Sequence, residues 1–112
     1  MSYILKYSKR PDGLYVTHEA YRYYSERYQR HVFIKEGQVR DGASGAMDIR
    51  SSSWWVHDQL CADACWYDGT PCTRSEAANV LYDILWDEGR YLRAHSWRAA
   101  TYLFGCKAVR KN

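Results

Sequence analysis

The stretch Ser52-Ser53-Trp54-Trp55-Val56-His57-Asp58-Gln59-Leu60-Cys61-Ala62-Asp63-Ala64 marks the point where the chain changes from strand-like to helical patterning. Ser51 to Ser53 supply hydroxyls that can cap the free amides at the start of a helix. The spacing that follows predicts a helix from about Ser52 to Ala64. On such a helix Trp54, His57, Asp58, Cys61 and Cys65 share one face. That face has two meanings. It is the kind of surface a polar site needs, and it is equally a core face that carries two hydrogen-bonded polar groups.

Downstream, Trp66 to Cys72 reads as a loop, because Asp68-Gly69 and Thr70-Pro71 are turn chemistry. Thr73-Arg74-Ser75-Glu76 then has the layout of a capping box. Ala77, Val80, Leu81, Ile84 and Leu85 follow at spacings of three and four, which predicts an amphipathic helix. It should end near Glu88, with Gly89 as its cap. A last helix is expected from His95 to about Lys107, with Trp97, Ala100, Thr101 and Phe104 on one face.

Upstream the pattern is extended. Residues Ser2 to Ser8 and Leu14 to His18 are strand-like and flank the turn Lys9-Arg10-Pro11-Asp12-Gly13, so they predict a β-hairpin. The tyrosines between Glu19 and Gln29 divide. Tyr21 and Tyr23 alternate with Arg22 as in a strand, whereas Tyr24 and Tyr28 stand four apart as in a helix; a strand through Tyr24 is expected. His31 to Lys35 forms a clearer strand, Glu36-Gly37 a turn, and Gln38 to Arg40 a short returning strand. Residues 41–53 are small and polar, without helical period. The order of strands followed by helices predicts an α+β fold: a small antiparallel sheet, made of the N-terminal hairpin plus strands to about residue 40, packed against about three C-terminal helices. The 112 residues suit a single domain, 1–112, with one modest core.

Composition narrows the function classes. The chain holds 11 Tyr and 5 Trp but only 2 Phe. Tyr and Trp combine a large apolar body with a polar tip, so they either wrap a thin core or form a binding surface. The formal net charge of +3 is well below a nucleic-acid footprint, and nucleic acid is disfavoured as a partner. Arg90, Arg93, Arg98, Lys107, Arg110 and Lys111 alternate with apolar residues, as on a solvated helix face. No stretch has the layout of a signal peptide or the length of a membrane span, so a non-secreted protein with no membrane partner is expected. In that setting Cys61, Cys65, Cys72 and Cys106 default to thiols.

The candidate chemistry gathers around His57-Asp58. Histidine exchanges protons near neutral pH, so His57 is the candidate base or ligand. Adjacent residues on a helix diverge by about 100°, so the pair can flank a metal ion or a water but cannot address one small atom from one side. Asp41, in Asp41-Gly42-Ala43-Ser44 at the end of the last strand, would complete a carboxylate–imidazole cluster suited to a divalent metal or to acid–base work. Ser44 is a candidate nucleophile. A zinc site through Cys65 and Cys72 with a remote ligand is a further alternative, set against small buried thiols.

The ordered pieces Gly37-Gln38-Val39-Arg40-Asp41-Gly42-Ala43-Ser44, His57-Asp58, Thr73-Arg74-Ser75-Glu76-Ala77 and Tyr102-Leu103-Phe104-Gly105 resemble the motifs of small phage and prophage proteins in domain-of-unknown-function family 1353. The resemblance spans roughly residues 30 to 105. Four positions depart from it: Gly45-Ala46 stands where the family has Ile-Pro, Cys61 where it has Tyr, and Ala78 where it has Asp. The resemblance implies a viral or prophage origin and an α+β fold. It makes Asp41, Ser44, His57, Asp58, Arg74 and Glu76 the family's polar positions.

Two functional expectations follow. In one, a phage or prophage protein of the virion or the host cytoplasm binds a protein partner, as a virion accessory component or an inhibitor of host defence. It would use a Tyr/Trp-rich surface with Trp54, Trp55, Arg74 and Glu76 as binding residues. In the other, a small hydrolase-like enzyme uses His57, Asp58 and Asp41, with Ser44 as candidate nucleophile and a divalent metal as candidate cofactor. The enzyme reading requires the polar groups to converge on an open cleft. The binding reading requires them to be buried while aromatics are exposed in a patch.

Overall fold

Among the described residues, alternating tyrosines, one capping box and three apolar helix faces assemble into five short strands and three helices, an α+β fold. The computed structural model describes residues 5–40 and 52–104, with residues 100–104 as backbone only. The strands are β1 (Tyr7–Lys9), β2 (Tyr15–Thr17), β3 (Tyr21–Ser25), β4 (Arg30–Ile34) and β5 (Val39–Arg40). The helices are α1 (Ser53–Asp63), α2 (Arg74–Asp87) and α3 (Tyr91–Phe104).

The strands divide between two small antiparallel sheets, one ordered β1-β2-β5 and the other β3-β4. The expected N-terminal hairpin is β1 and β2, with Ser8 opposite Val16. β5 returns past the β3–β4 hairpin to pair with β2, Val39 lying opposite Val16. Thr17 locks this junction. Its amide donates to the Gln38 carbonyl at 3.0 Å, its carbonyl accepts from Gly37 at 2.9 Å, and its hydroxyl donates to the Lys35 carbonyl at 2.8 Å. In β3–β4, Tyr23 faces Val32 across the ladder. The four-residue turn between them closes with Gln29 in the left-handed region, at φ 54°. Tyr21 and Ser25 point inward while Arg22 and Tyr24 point out, so Tyr24 follows the strand period and not the helical one.

The capping box forms as the spacing predicts. The Glu76 amide donates to the Thr73 hydroxyl at 3.1 Å, and the Thr73 amide donates to the Glu76 carboxylate at 3.0 Å. α2 ends at Asp87, with Gly89 left-handed at φ 79°. α3 starts at Tyr91, earlier than the expected His95. The reason is the turn. Gly89 reverses the chain at once, the Arg90 amide closes onto the Leu85 carbonyl, and the Arg90 carbonyl already accepts from Ala94. No side-chain cap announces this start in the sequence. Ala94 packs against Leu81 and Leu85, and Trp97 covers the same contact; the expected face residues Ala100, Thr101 and Phe104 lie beyond the described side chains.

The main core joins α1 to both sheets and to α2. Trp54 and Trp55 sit with Val56 and Leu60 at its centre, against Val32, Ile34, Trp66, Ala77 and Val80. Tyr7 packs edge-on to Trp54 at 5.5 Å, and Tyr15 does so at 5.7 Å. The aromatic excess thus partly wraps a thin core. Among the described residues no helix is long and apolar enough to cross a membrane.

Candidate functional site

α1 carries the His57-Asp58 pair, and the packing of its tryptophans fixes where that pair faces. His57 is only 3 % exposed, turned inward from solvent. Its Nδ1 lies 3.7 Å from the Asp58 carboxylate, too long for a hydrogen bond, and Asp58 itself is half-buried. The Cys61 Sγ is 3.6 Å from Nε2 and 3.7 Å from Nδ1. Near-equal distances to both nitrogens place the sulfur on their bisector, not in line with one N–H. Cys61 is disulfide-bonded, so it has neither a thiol proton to give nor a thiolate to activate. This corrects the expectation of four thiols; Cys65 and Cys72 are the free ones among the described residues. Burial, aided by Glu76 and Cys65, pushes the Cys72 thiol up to about 12.

The remaining candidates disperse. Asp41 and Ser44 lie outside the described residues. Arg74 is the first residue of α2, and the Glu76 carboxylate is spent on the capping box. Among the described residues, no group of three or more His, Cys, Asp or Glu side chains could hold a metal ion. Trp54 and Trp55 are 4 % and 0 % exposed, so the binding role expected of them has no surface to act through. Their bulk is used in the core, and the Trp55 indole donates to the Gln38 side chain. That contact begins a polar chain: the Gln38 amide donates to Gln59 Oε1 at 2.6 Å, Arg40 donates to the same oxygen at 3.1 Å, and Gln59 donates to Asp63 at 2.6 Å. The network lines a cleft of about 490 Å³ between α1, β4 and β5.

A second cleft, of about 450 Å³, lies between the β3–β4 hairpin and the outer face of α2. Its walls are Tyr23 and Tyr24 on one side and Tyr82 and Trp86 on the other, with Glu26, Arg27, Asp83 and Asp87 among them. Arg27 grips Asp83 through Nε at 2.9 Å and Nη2 at 2.6 Å, which raises the guanidinium pKa further. Burial first, then Asp83 and Asp87, holds the Tyr23 phenol well above the ordinary tyrosine range. The aromatic surface continues past the cleft. Tyr82 stacks on Trp86 at 5.7 Å, Trp86 meets Tyr91 edge-on at 4.5 Å, and His95 touches both Tyr82 and Trp86. Tyr24, Trp86 and Tyr91 are 46, 43 and 52 % exposed, and the neighbouring Leu92 is 88 % exposed.

Sequence reasoning passed over this surface because it weighed α2 only by its buried stripe. The signal was present on the opposite face. Tyr82 and Trp86 stand four apart where a solvent face ordinarily carries polar side chains, with Asp83 and Asp87 in the same register beside them. No family model, no curated protein and no solved structure matches this chain.

Proposed function

We propose that this chain is a protein-binding module that engages its partner through the aromatic surface running from Tyr24 across Tyr82 and Trp86 to Tyr91. The observation that carries this reading is the joint placement of Trp86 and Tyr91, in mutual contact and each about half exposed, beside an almost fully exposed Leu92. Aromatic rings with one apolar face and one wet edge are what protein interfaces concentrate at their centres. The motif resemblance to phage and prophage proteins makes a virion component or a host protein the expected partner class.

The enzymatic alternative has less support. A general base must reach substrate, and His57 is buried beside a disulfide-bonded sulfur. Neither described cleft is lined by His57 or Asp58.

A displayed library of random peptides, selected against the wild-type protein and counter-screened on a Trp86→Ala/Tyr91→Ala variant, tests the reading. Enriched peptides that bind the wild type and not the variant support it. Failure of any sequence to enrich, or enrichment indifferent to the variant, contradicts it.

A further inference from the structure

The cleft between the hairpin and α2 combines four aromatic rings with an excess of negative charge on a protein whose formal net charge is +3. Arg27 and Asp83 satisfy one another, which leaves Glu26 and Asp87 without a hydrogen bond or ion pair among the described residues. Asp87 is the last residue of α2, at the end where the helix dipole is negative and a cation would be favoured. The last turn of α2 contains no basic residue, and the adjoining Glu88 adds a further acid that Arg90 offsets at 3.5 Å.

We propose that the cleft receives a cationic side chain, arginine above all, from an extended segment of the protein partner. This rests on the aromatic surface being the binding surface and names what that surface selects. Tyr24, Tyr82 and Trp86 line the cleft, and aromatic rings attract a guanidinium, the more so as water is excluded. Glu26 and Asp87 supply the opposing charge. A carboxylate of the cleft already holds one guanidinium, since the chain's own Arg27 lies in it with two parallel hydrogen bonds to Asp83. Arginine suits the site better than lysine, because its planar fork can stack on a ring and meet a carboxylate at the same time.

The test is an NMR titration of the full chain with acetyl-Gly-Arg-Gly-Arg-Gly-amide and with its citrulline counterpart, which has the same shape without the charge. The arginine peptide is expected to shift the signals of Tyr24, Tyr82 and Trp86, and the citrulline peptide to bind about tenfold more weakly or not at all. A Glu26→Gln/Asp87→Asn variant is expected to weaken the arginine peptide about five- to tenfold while its melting temperature holds or rises. A lost affinity with a falling melting temperature would mean that the carboxylates serve the fold, and would overturn the inference. Equal binding of the two peptides would also overturn it, yet leave the aromatic surface standing as a charge-blind binding site. No shift in the cleft with either peptide overturns it as well, and the library selection then decides separately whether the surface binds protein.

Discussion

Arg27 and Asp83 are 56 residues apart in sequence and are joined by two parallel hydrogen bonds, 2.9 Å and 2.6 Å long. The pair ties the turn of the β3–β4 hairpin to the middle of α2 and fixes the width of the cleft between them. Both side chains retain solvent contact, so the stabilisation is modest. A double-mutant cycle through Arg27→Ala and Asp83→Ala is expected to give a coupling of about 0.5–1 kcal/mol that shrinks as salt is added. Arg27→Lys should recover only part of it, because an ammonium cannot make the forked contact. A coupling of zero at low salt would mean that the pair does not hold the hairpin in place.

Asp87→Asn separates folding from binding. Removing a carboxylate from the negative end of α2 should stabilise the protein by about 0.3–1 kcal/mol, read as a higher urea midpoint at unchanged slope. Destabilisation would indicate a native partner for Asp87 and would remove the case for an external cation.

Trp55 is wholly buried and also donates to Gln38. Trp55→Phe keeps most of the apolar contact but strips the Gln38 oxygen of that donor, at an expected cost of about 1–3 kcal/mol. Trp55→Ala adds a cavity, for a total of about 3–5 kcal/mol. Chemical denaturation of the two variants checks the order, and equal stabilities would contradict the role given to the indole N–H.

Cys72 makes stability fall in alkali. Its folded-state pKa, about 12, stands above the ordinary 9.0, so between these values the unfolded chain loses the thiol proton while the native state keeps it. The stabilisation is complete below about pH 9 and is lost as pH rises toward 12. Tyr23 shifts in the same direction and steepens the fall. Urea midpoints measured from pH 8 to 11 should decline more steeply for the wild type than for Cys72→Ala. Parallel curves would show that the thiol does not titrate as its burial requires.

Local signals carried most of the fold. The Thr73–Glu76 capping box, the Pro11-Asp12-Gly13 turn and the Val32–Ile34 run each act through near neighbours, and each appears where its chemistry puts it. What was not legible depends on contacts far apart in sequence. β5 pairs with β2, across the whole β3–β4 hairpin, because Thr17 engages Gly37 and Gln38. The start of α3 at Tyr91 is set by the turn at Gly89. The candidate site suffered most. Trp54 and Trp86 are both helix residues next to polar neighbours, and only the packing of α1 between two sheets and α2 makes the first a core residue and leaves the second outside. The helical face of His57 suits a buried or a catalytic histidine equally; its burial and the disulfide at Cys61 decide where it stands.

The most direct measurement is the affinity of a library-selected peptide, by calorimetry, for the wild type, Trp86→Ala and His57→Asn. Trp86→Ala is expected to lose at least about tenfold in affinity with its fold and melting temperature nearly intact, as for an anchor residue at an interface centre. His57→Asn is expected to lower core stability yet bind with unchanged affinity at temperatures where it is folded. Peptide binding that survives Trp86→Ala and is abolished by His57→Asn in the folded state would contradict binding through the aromatic surface.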